Sequence, residues 1–201
     1  EKGVLFVRGP QVMPGYYKNP EATKEILDEE GWLNTGDLAI YSENGEIIIA
    51  GRAKDTIVLM GGENVEPEHI EDKLKESSYI DHAVLLGQDR KQLSAIVALN
   101  PDELMKLAEE LKVSDYEVPV EGAYSVENDK INETLMREVN KLISKEQGFR
   151  PFESITQILP VRNDFAIGRE LTQTLKLKRK YIHDKYKSLI ARLHGDVGKK
   201  K

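Results

Sequence analysis

The chain has 201 residues, 39% of them hydrophobic and 32% charged, with a formal net charge of −6 and a pI near 5.4. This composition is that of an ordinary folded chain, and its acidity argues against non-specific binding to nucleic acid. Cysteine is absent, which excludes disulfides and thiolate metal sites. We find no signal-peptide pattern and no apolar run of membrane-spanning length, so we expect a cytoplasmic setting.

The first residues read as the middle of a polypeptide. The chain opens on Glu1 rather than methionine, and GVLFVRG follows almost at once, like a strand already under way. We therefore expect the chain to be a piece of a longer protein.

The first predicted elements are a strand, a helix and a hairpin. The strand covers Val4 to Val7, and the helix begins at Pro20 with Asn19 as its N-cap. In the hairpin, LAIY and EIIIAG flank residues 42–45, which end in Asn-Gly. This dipeptide is typical of tight turns that need positive φ.

The next elements alternate between strand and helix. A strand is predicted over residues 56–60, a glycine pair at 61–62 ends it, and a helix begins at Pro67 with Ile70 and Leu74 on its buried face. Two strands, HAVLLG and SAIVALN, follow. The order strand, helix, strand, strand predicts a small α+β sandwich.

From Asn100 onward the pattern becomes helical. Two amphipathic helices, the second ending near Gly148, are separated by a predicted loop around Pro119 and Gly122. Their apolar stripes are Leu104, Leu107, Ala108 and Leu111, then Ile131, Leu135, Val139, Leu142 and Ile143. The strand ITQIL and a single closing helix, YIHDKYKSLIARL, complete the predicted core, and the terminal GKKK is predicted to be disordered.

One basic run stands out on this acidic chain. It comprises Lys176, Lys178, Arg179, Lys180, Lys185 and Lys187. Without further information this pattern indicates a solvated helix face, which could touch anionic lipid. The four histidines, His69, His82, His183 and His194, show no metal-ligand spacing.

Three blocks resemble the adenylate-forming acyl-CoA synthetases. They are GVLFVRGPQVMPGYYKNPEAT, then GWLNTGDLAIYSENGEIIIAGRAKDTIVLMGGENVEPEHIE, and finally LTQTLKLKRKYI. The last block is similar to the long-chain fatty acid branch, where other members carry a serine-glycine-lysine signature. The resemblance implies an α+β fold: residues 1–53 end a large adenylation domain, and residues 54–201 form a mobile C-terminal domain with a helical insertion at about 100–148.

The resemblance assigns nucleotide binding to two residues. A carboxylate such as Asp37 can accept hydrogen bonds from two ribose hydroxyls, and the guanidinium of Arg52 suits ribose and phosphate oxygens. The alternatives are a turn aspartate that satisfies backbone amides and a surface ion pair between Arg52 and Asp55.

The resemblance also places a hinge at Lys54, between the hairpin and the next strand, where one or two residues would absorb a domain rotation. It makes Gly61, Gly62 and Glu63 a loop that faces coenzyme A, because glycines let a slender pantetheine arm lie close. Read alone, two glycines indicate only a turn.

Lys176 resembles the lysine that completes the adenylation site. A carboxylate attacking the α-phosphate of ATP brings two anions together, and a cation that reaches both lowers the barrier. The alternative is one more solvated lysine. Gln173 stands where the family usually has proline, so the rigidity of this segment is open.

The implied reaction joins a fatty acid to ATP, with magnesium, as an acyl-adenylate and then transfers the acyl group to coenzyme A. The phosphate loop, the adenine motif and the acyl tunnel of the family are missing, so we expect the isolated chain to be inactive and to need the missing N-terminal domain as its partner. Two alternatives stay open. The first is another adenylate-forming enzyme, either acylating a carrier protein or luciferase-like, and the segment from Asn100 to Gly148 and the LTQTLKLKRK ending argue against it. The second is a non-catalytic interaction module.

Overall fold

A computed structural model of the chain describes residues 2–120 and 123–195. The described residues divide into two compact units, one within residues 1–56 and 66–69 and the other within residues 57–65 and 70–201. Gly122 and the terminal GKKK, for which we predicted a loop and disorder, lie outside the described residues.

The first unit is built on an antiparallel sheet in the order β1-β2-β3. Its elements are β1 (Lys2–Val7), α1 (Pro20–Ile26), β2 (Leu33–Tyr41) and β3 (Ile47–Arg52). The predicted N-cap is confirmed, because Asn19 Oδ1 accepts a hydrogen bond of 3.1 Å from the Ala22 amide. Gly45 has a φ of +83°, as the predicted tight turn requires.

Two short strands open the part of the chain that follows. They are β4 (Ile57–Val58) and β5 (Asn64–Val65), which pair antiparallel across the glycine turn, whereas one longer strand was predicted. The helix α2 (Pro67–Leu74) begins at the predicted residue, and Ile70 and Leu74 are fully buried.

The second unit contains a five-stranded mixed sheet in the order β6-β7-β10-β9-β8. The strands are β6 (Ile80–Leu86), β7 (Leu93–Leu99), β8 (Glu117–Val120), β9 (Ala123–Val126) and β10 (Ile155–Arg162). The β7 and β10 pair is parallel, and the other pairs are antiparallel. Every residue of β7 is buried, as expected of a strand covered on both faces.

Helices cover both faces of this sheet. Alternate residues of β7 join two separate cores, one with Ile131 of α4 and the other with Ile182 of α5. The helices are α3 (Pro101–Glu110), α4 (Asp129–Leu142), α5 (Arg179–Lys185) and α6 (Lys187–Leu193). The predicted α+β class, a mixed sheet flanked by helices, is confirmed.

Three local predictions are wrong. Pro119 lies in β8 and not in a loop, because an edge strand tolerates a residue without a backbone donor. The helix α4 ends at Leu142, and a separate 3₁₀ turn reaches Gly148. The closing helix is two helices, since Tyr186 leaves the helical conformation with φ −100° and ψ 14°.

Candidate functional site

Asp37 of β2 and Arg52 of β3 lie side by side on neighbouring strands of the first sheet. They are partners in the register of β2 and β3, and Arg52 Nε lies 2.9 Å from Asp37 Oδ1. The side chains are 27% and 44% exposed, so both can meet a ligand. The ion-pair partner of Arg52 considered from the sequence was Asp55, whereas the cross-strand register supplies Asp37.

The backbone around Asp37 is held by its neighbours. Asn34 Oδ1 accepts from the Gly36 amide at 2.9 Å, and Thr35 Oγ1 accepts from the Asp37 amide at 3.1 Å. Gly36 has a φ of +71°, which favours glycine. The carboxylate of Asp37 is therefore turned to Arg52, while Asn34 and Thr35 fill the amide-capping role that the turn alternative gave to Asp37.

Lys54 lies in a 3₁₀ turn, Ala53–Asp55, between β3 and β4. Its side chain is exposed. The division between the two compact units falls directly after Thr56, two residues further along. The predicted hinge residue thus lies beside the point where the chain passes from one unit to the other.

The glycine turn joins β4 to β5. The Leu59 amide donates to the Glu63 carbonyl and the Gly62 amide donates to the Leu59 carbonyl, each at 2.9 Å. Gly62 has a φ of +88°, and Gly61 and Gly62 are exposed. The turn exposes backbone that no glycine side chain covers, although the Gly62 N–H already donates a hydrogen bond within the turn.

Lys176 lies at the tip of residues 163–178, the segment between β10 and α5, which we call the lysine loop. The Thr172 amide donates to the Lys176 carbonyl at 2.8 Å, and the Lys176 amide donates to Thr172 Oγ1 at 3.0 Å. Leu175 completes the turn with a φ of +60°. The Lys176 side chain is exposed, and the hydroxyl of Thr172 closes the turn that contains Gln173.

A buried carboxylate anchors the lysine loop from inside. Glu170 is fully buried, and it accepts from the Ala166 amide at 3.0 Å and from Lys185 Nζ at 2.9 Å. Burial opposes ionisation of Glu170, but these hydrogen bonds outweigh it and hold the pKa of the carboxyl below its ordinary value. Lys185 also contacts Asp164 at 3.1 Å, so both its partners belong to the loop.

A second buried carboxylate holds the end of the loop. Glu71 of α2 is 4% exposed and forms two hydrogen bonds of 2.6 Å with the guanidinium of Arg179, the first residue of α5. Glu71 also accepts from the Leu85 amide at 2.7 Å. Paired, parallel bonds of this kind fix geometry as well as charge.

The basic run is therefore not one solvated face. Arg179 and Lys185 pair with the acids described above, and Lys178 Nζ donates to the Gly168 carbonyl at 3.0 Å. Lys176, Lys180 and Lys187 are exposed. Sequence reasoning missed Glu71 and Glu170, and the signal for them was an acidic residue at the end of the middle block and one directly before the closing block.

Residues 2–120 and 123–195 contain no group of three His, Cys, Asp or Glu side chains that could hold a metal ion. Magnesium was expected to accompany ATP in the intact enzyme, and that expectation stays a prediction. In the same part of the chain, no helix is long and apolar enough to cross a membrane.

Two of the relatives found by comparison with known proteins are described here. A long-chain-fatty-acid–[acyl-carrier-protein] ligase from Arabidopsis thaliana, AEE15, is 38% identical over 96% of this chain and 25% of its own length. The long-chain-fatty-acid–CoA ligase FadD15 from Mycobacterium tuberculosis is 34% identical over 97% of this chain and 32% of its own length. The chain spans about a quarter to a third of the length of these relatives.

A solved structure has the same fold. The adenylation and carrier didomain of carboxylic acid reductase from Segniliparus rugosus, in complex with AMP, matches with a TM-score of 0.80 and 24% identity, over 97% of this chain and 25% of that one. The family described as the AMP-binding enzyme C-terminal domain matches residues 54–197. With its mixed sheet, its exposed lysine turn and this match over most of its length, the chain belongs to the AMP-binding enzyme C-terminal domain family.

Proposed function

We propose that the chain is the C-terminal part of an AMP-forming long-chain fatty acid–CoA ligase. The observation that carries the proposal is Lys176, an exposed cation at the tip of a turn whose base is held by buried ion pairs. An exposed lysine on a fixed support suits a reaction in which two anions must meet. FadD15, a long-chain-fatty-acid–CoA ligase by name, supports the same reaction, and AEE15 supports the activation of a long-chain fatty acid.

In the first half-reaction the fatty acid carboxylate attacks the α-phosphate of ATP, and pyrophosphate leaves. Lys176 stabilises the negative charge that grows on the reacting oxygens. Asp37 accepts hydrogen bonds from the ribose hydroxyls, and Arg52 both orients Asp37 and contacts ribose or phosphate.

In the second half-reaction the thiol of coenzyme A attacks the acyl carbonyl, and AMP leaves. The turn of Gly61, Gly62 and Glu63 faces the pantetheine arm, because its exposed backbone lets a slender ligand approach. Lys54 is the hinge about which the C-terminal domain, residues 54–201, moves relative to residues 1–53 and the rest of the enzyme. The position of Lys54 beside the unit division and the start of the family match at residue 54 support this boundary.

A second acceptor has an observation in its favour. From the sequence, the segment from Asn100 to Gly148 and the closing block argued against a carrier-protein ligase, yet the carrier-protein ligase AEE15 aligns over 96% of this chain. These features therefore do not separate the two acceptors. The predicted contact with anionic lipid stays a prediction.

The test is an assay of the intact protein with palmitate and ATP, in which AMP formation is followed with coenzyme A or with holo acyl carrier protein. We expect AMP formation that depends on the fatty acid and is stimulated by coenzyme A. Stimulation by the carrier protein alone would favour acyl carrier protein over coenzyme A as the acceptor. An absence of fatty-acid-dependent AMP formation would contradict both candidate functions. The isolated 201-residue chain should form no AMP.

A further inference from the structure

The lysine loop is clamped at both ends by buried carboxylates. Its inner part is tied to α5 through Glu170 and Lys185, and its exit is tied to α2 through Arg179 and Glu71. The Lys178 amide adds a backbone bond of 2.8 Å to the Glu170 carbonyl. The tip between these ties, residues 173–176, is exposed.

Burying the carboxylates of Glu170 and Glu71 costs free energy, so their ion pairs need a role other than stability. Glu170 and Glu71 have side chains that are 0% and 5% exposed, and a buried ion pair is often no better for stability than a well-packed apolar pair. What such a pair supplies is a defined direction, since each hydrogen bond constrains the residue that makes it. Here both constraints act on the two ends of the segment that carries Lys176.

The tip itself is held away from relaxed geometry. Leu175, which precedes Lys176, has a φ of +60°, a left-handed conformation that leucine rarely adopts, and the residue is 63% exposed. A strained residue persists only where the surroundings over-determine it. The anchored base and the Thr172 bonds provide that surrounding structure.

We propose that Glu170 and Glu71 are positioning residues for Lys176, fixing its backbone so that the ammonium group reaches the reacting oxygens. This inference rests on the proposed adenylation reaction, and it adds that Lys176 is presented by a rigid support rather than by a flexible loop. Neither carboxylate contacts a reactant; each acts through the lysine loop.

The test uses the intact protein and three isosteric variants, Glu170→Gln, Glu71→Gln and a matched control, Glu117→Gln. Glu117 pairs with Arg162 at 3.2 Å at the far edge of the same sheet. Misplacing a reacting group by about 1 Å can cost about a hundredfold, so we expect the first two variants to lower the kcat of adenylation by about ten- to a hundredfold. The KM for ATP should stay unchanged, and the control should keep the kcat of the unaltered protein.

The effect must also disappear when Lys176 is absent. In a Lys176→Ala background, neither Glu170→Gln nor Glu71→Gln should lower adenylation further, because both act through that side chain. Equal fold losses with and without Lys176, or an equal loss in the Glu117 control, would overturn the proposal.

A second readout does not depend on activity. Hydrogen exchange at the Leu175 and Lys176 amides, both bonded to Thr172, should accelerate in Glu170→Gln relative to the control. Unchanged exchange would contradict the proposed anchoring of the lysine loop, even if the enzyme had no measurable activity. Accelerated exchange in a protein that shows no adenylation would instead contradict the proposed function. If Glu71→Gln unfolds, Arg179→Lys keeps the charge without the paired bonds and should give a smaller loss in the same direction.

Discussion

Replacing Asp37 with alanine separates the proposed nucleotide role from a structural one. Both side chains of the ion pair between Asp37 and Arg52 are partly exposed, and an ion pair of this kind contributes at most about 1 kcal/mol to the free energy of folding. A stabilising role in the fold therefore predicts a small effect of Asp37→Ala on every property of the protein.

The nucleotide role predicts a large effect on one property only. A hydrogen bond to a charged group contributes about 1.5–3 kcal/mol, so losing two bonds to ribose hydroxyls costs about 3 kcal/mol or more, which is about a hundredfold in kcat/KM for ATP. Because ribose is bound before and during the reaction, most of the loss should be in KM rather than in kcat.

The assay measures pyrophosphate release against ATP concentration in the intact protein, and urea unfolding runs in parallel. Asp72→Ala is the control, since Asp72 forms an exposed ion pair of 2.6 Å with Lys75 within α2 and the turn after it. An unchanged kcat/KM for ATP in Asp37→Ala, or a loss of folding stability of several kcal/mol, would refute the nucleotide role.

Two further predictions concern the second unit. Burial lowers the pKa of His82, although nearby Asp81 opposes the shift, so the folded state favours the neutral ring. The contribution of His82 to folding stability should therefore be complete above pH 6.5 and should be lost as the pH falls toward the lowered pKa of the folded state. Urea unfolding midpoints at pH 7 and pH 5 should differ less in His82→Gln than in the unaltered protein. An equal drop in both proteins would contradict this. Ile131→Ala, at a fully buried site in α4, should lower the free energy of unfolding by about 2–5 kcal/mol. Met105→Ala, at a site 52% exposed in α3, should change it by less than about 0.5 kcal/mol, and equal effects would be inconsistent with the core described here.

Local signals predicted the starts of α1 and α2 and the first hairpin. Proline at the first helical position placed α1 and α2, and an asparagine N-cap placed α1, because these residues act on the backbone of their own neighbours. The central strand β7 was equally clear, since its apolar run is buried on both faces.

The errors arose where tertiary contacts decide the outcome. Pro119 looks like a loop residue until β9 provides the partner strand that makes β8 an edge. Arg179 and Lys185 look solvated until the fold brings Glu71, which is 108 residues away, and Glu170 beside them. Position within the closing motif selected Lys176, but composition alone could not show that its segment is anchored.

Lys176→Ala in the intact protein, with the two half-reactions assayed separately, tests the central claim most directly. We expect formation of the acyl-adenylate to fall by about a hundred- to a thousandfold, as when a single charge-stabilising donor is removed from an active site, while thioester formation from a supplied acyl-adenylate is retained. Lys180→Ala, which removes an exposed lysine four residues away, should leave both steps intact. Equal loss of both half-reactions in Lys176→Ala, or full adenylation without this amine, would contradict the account.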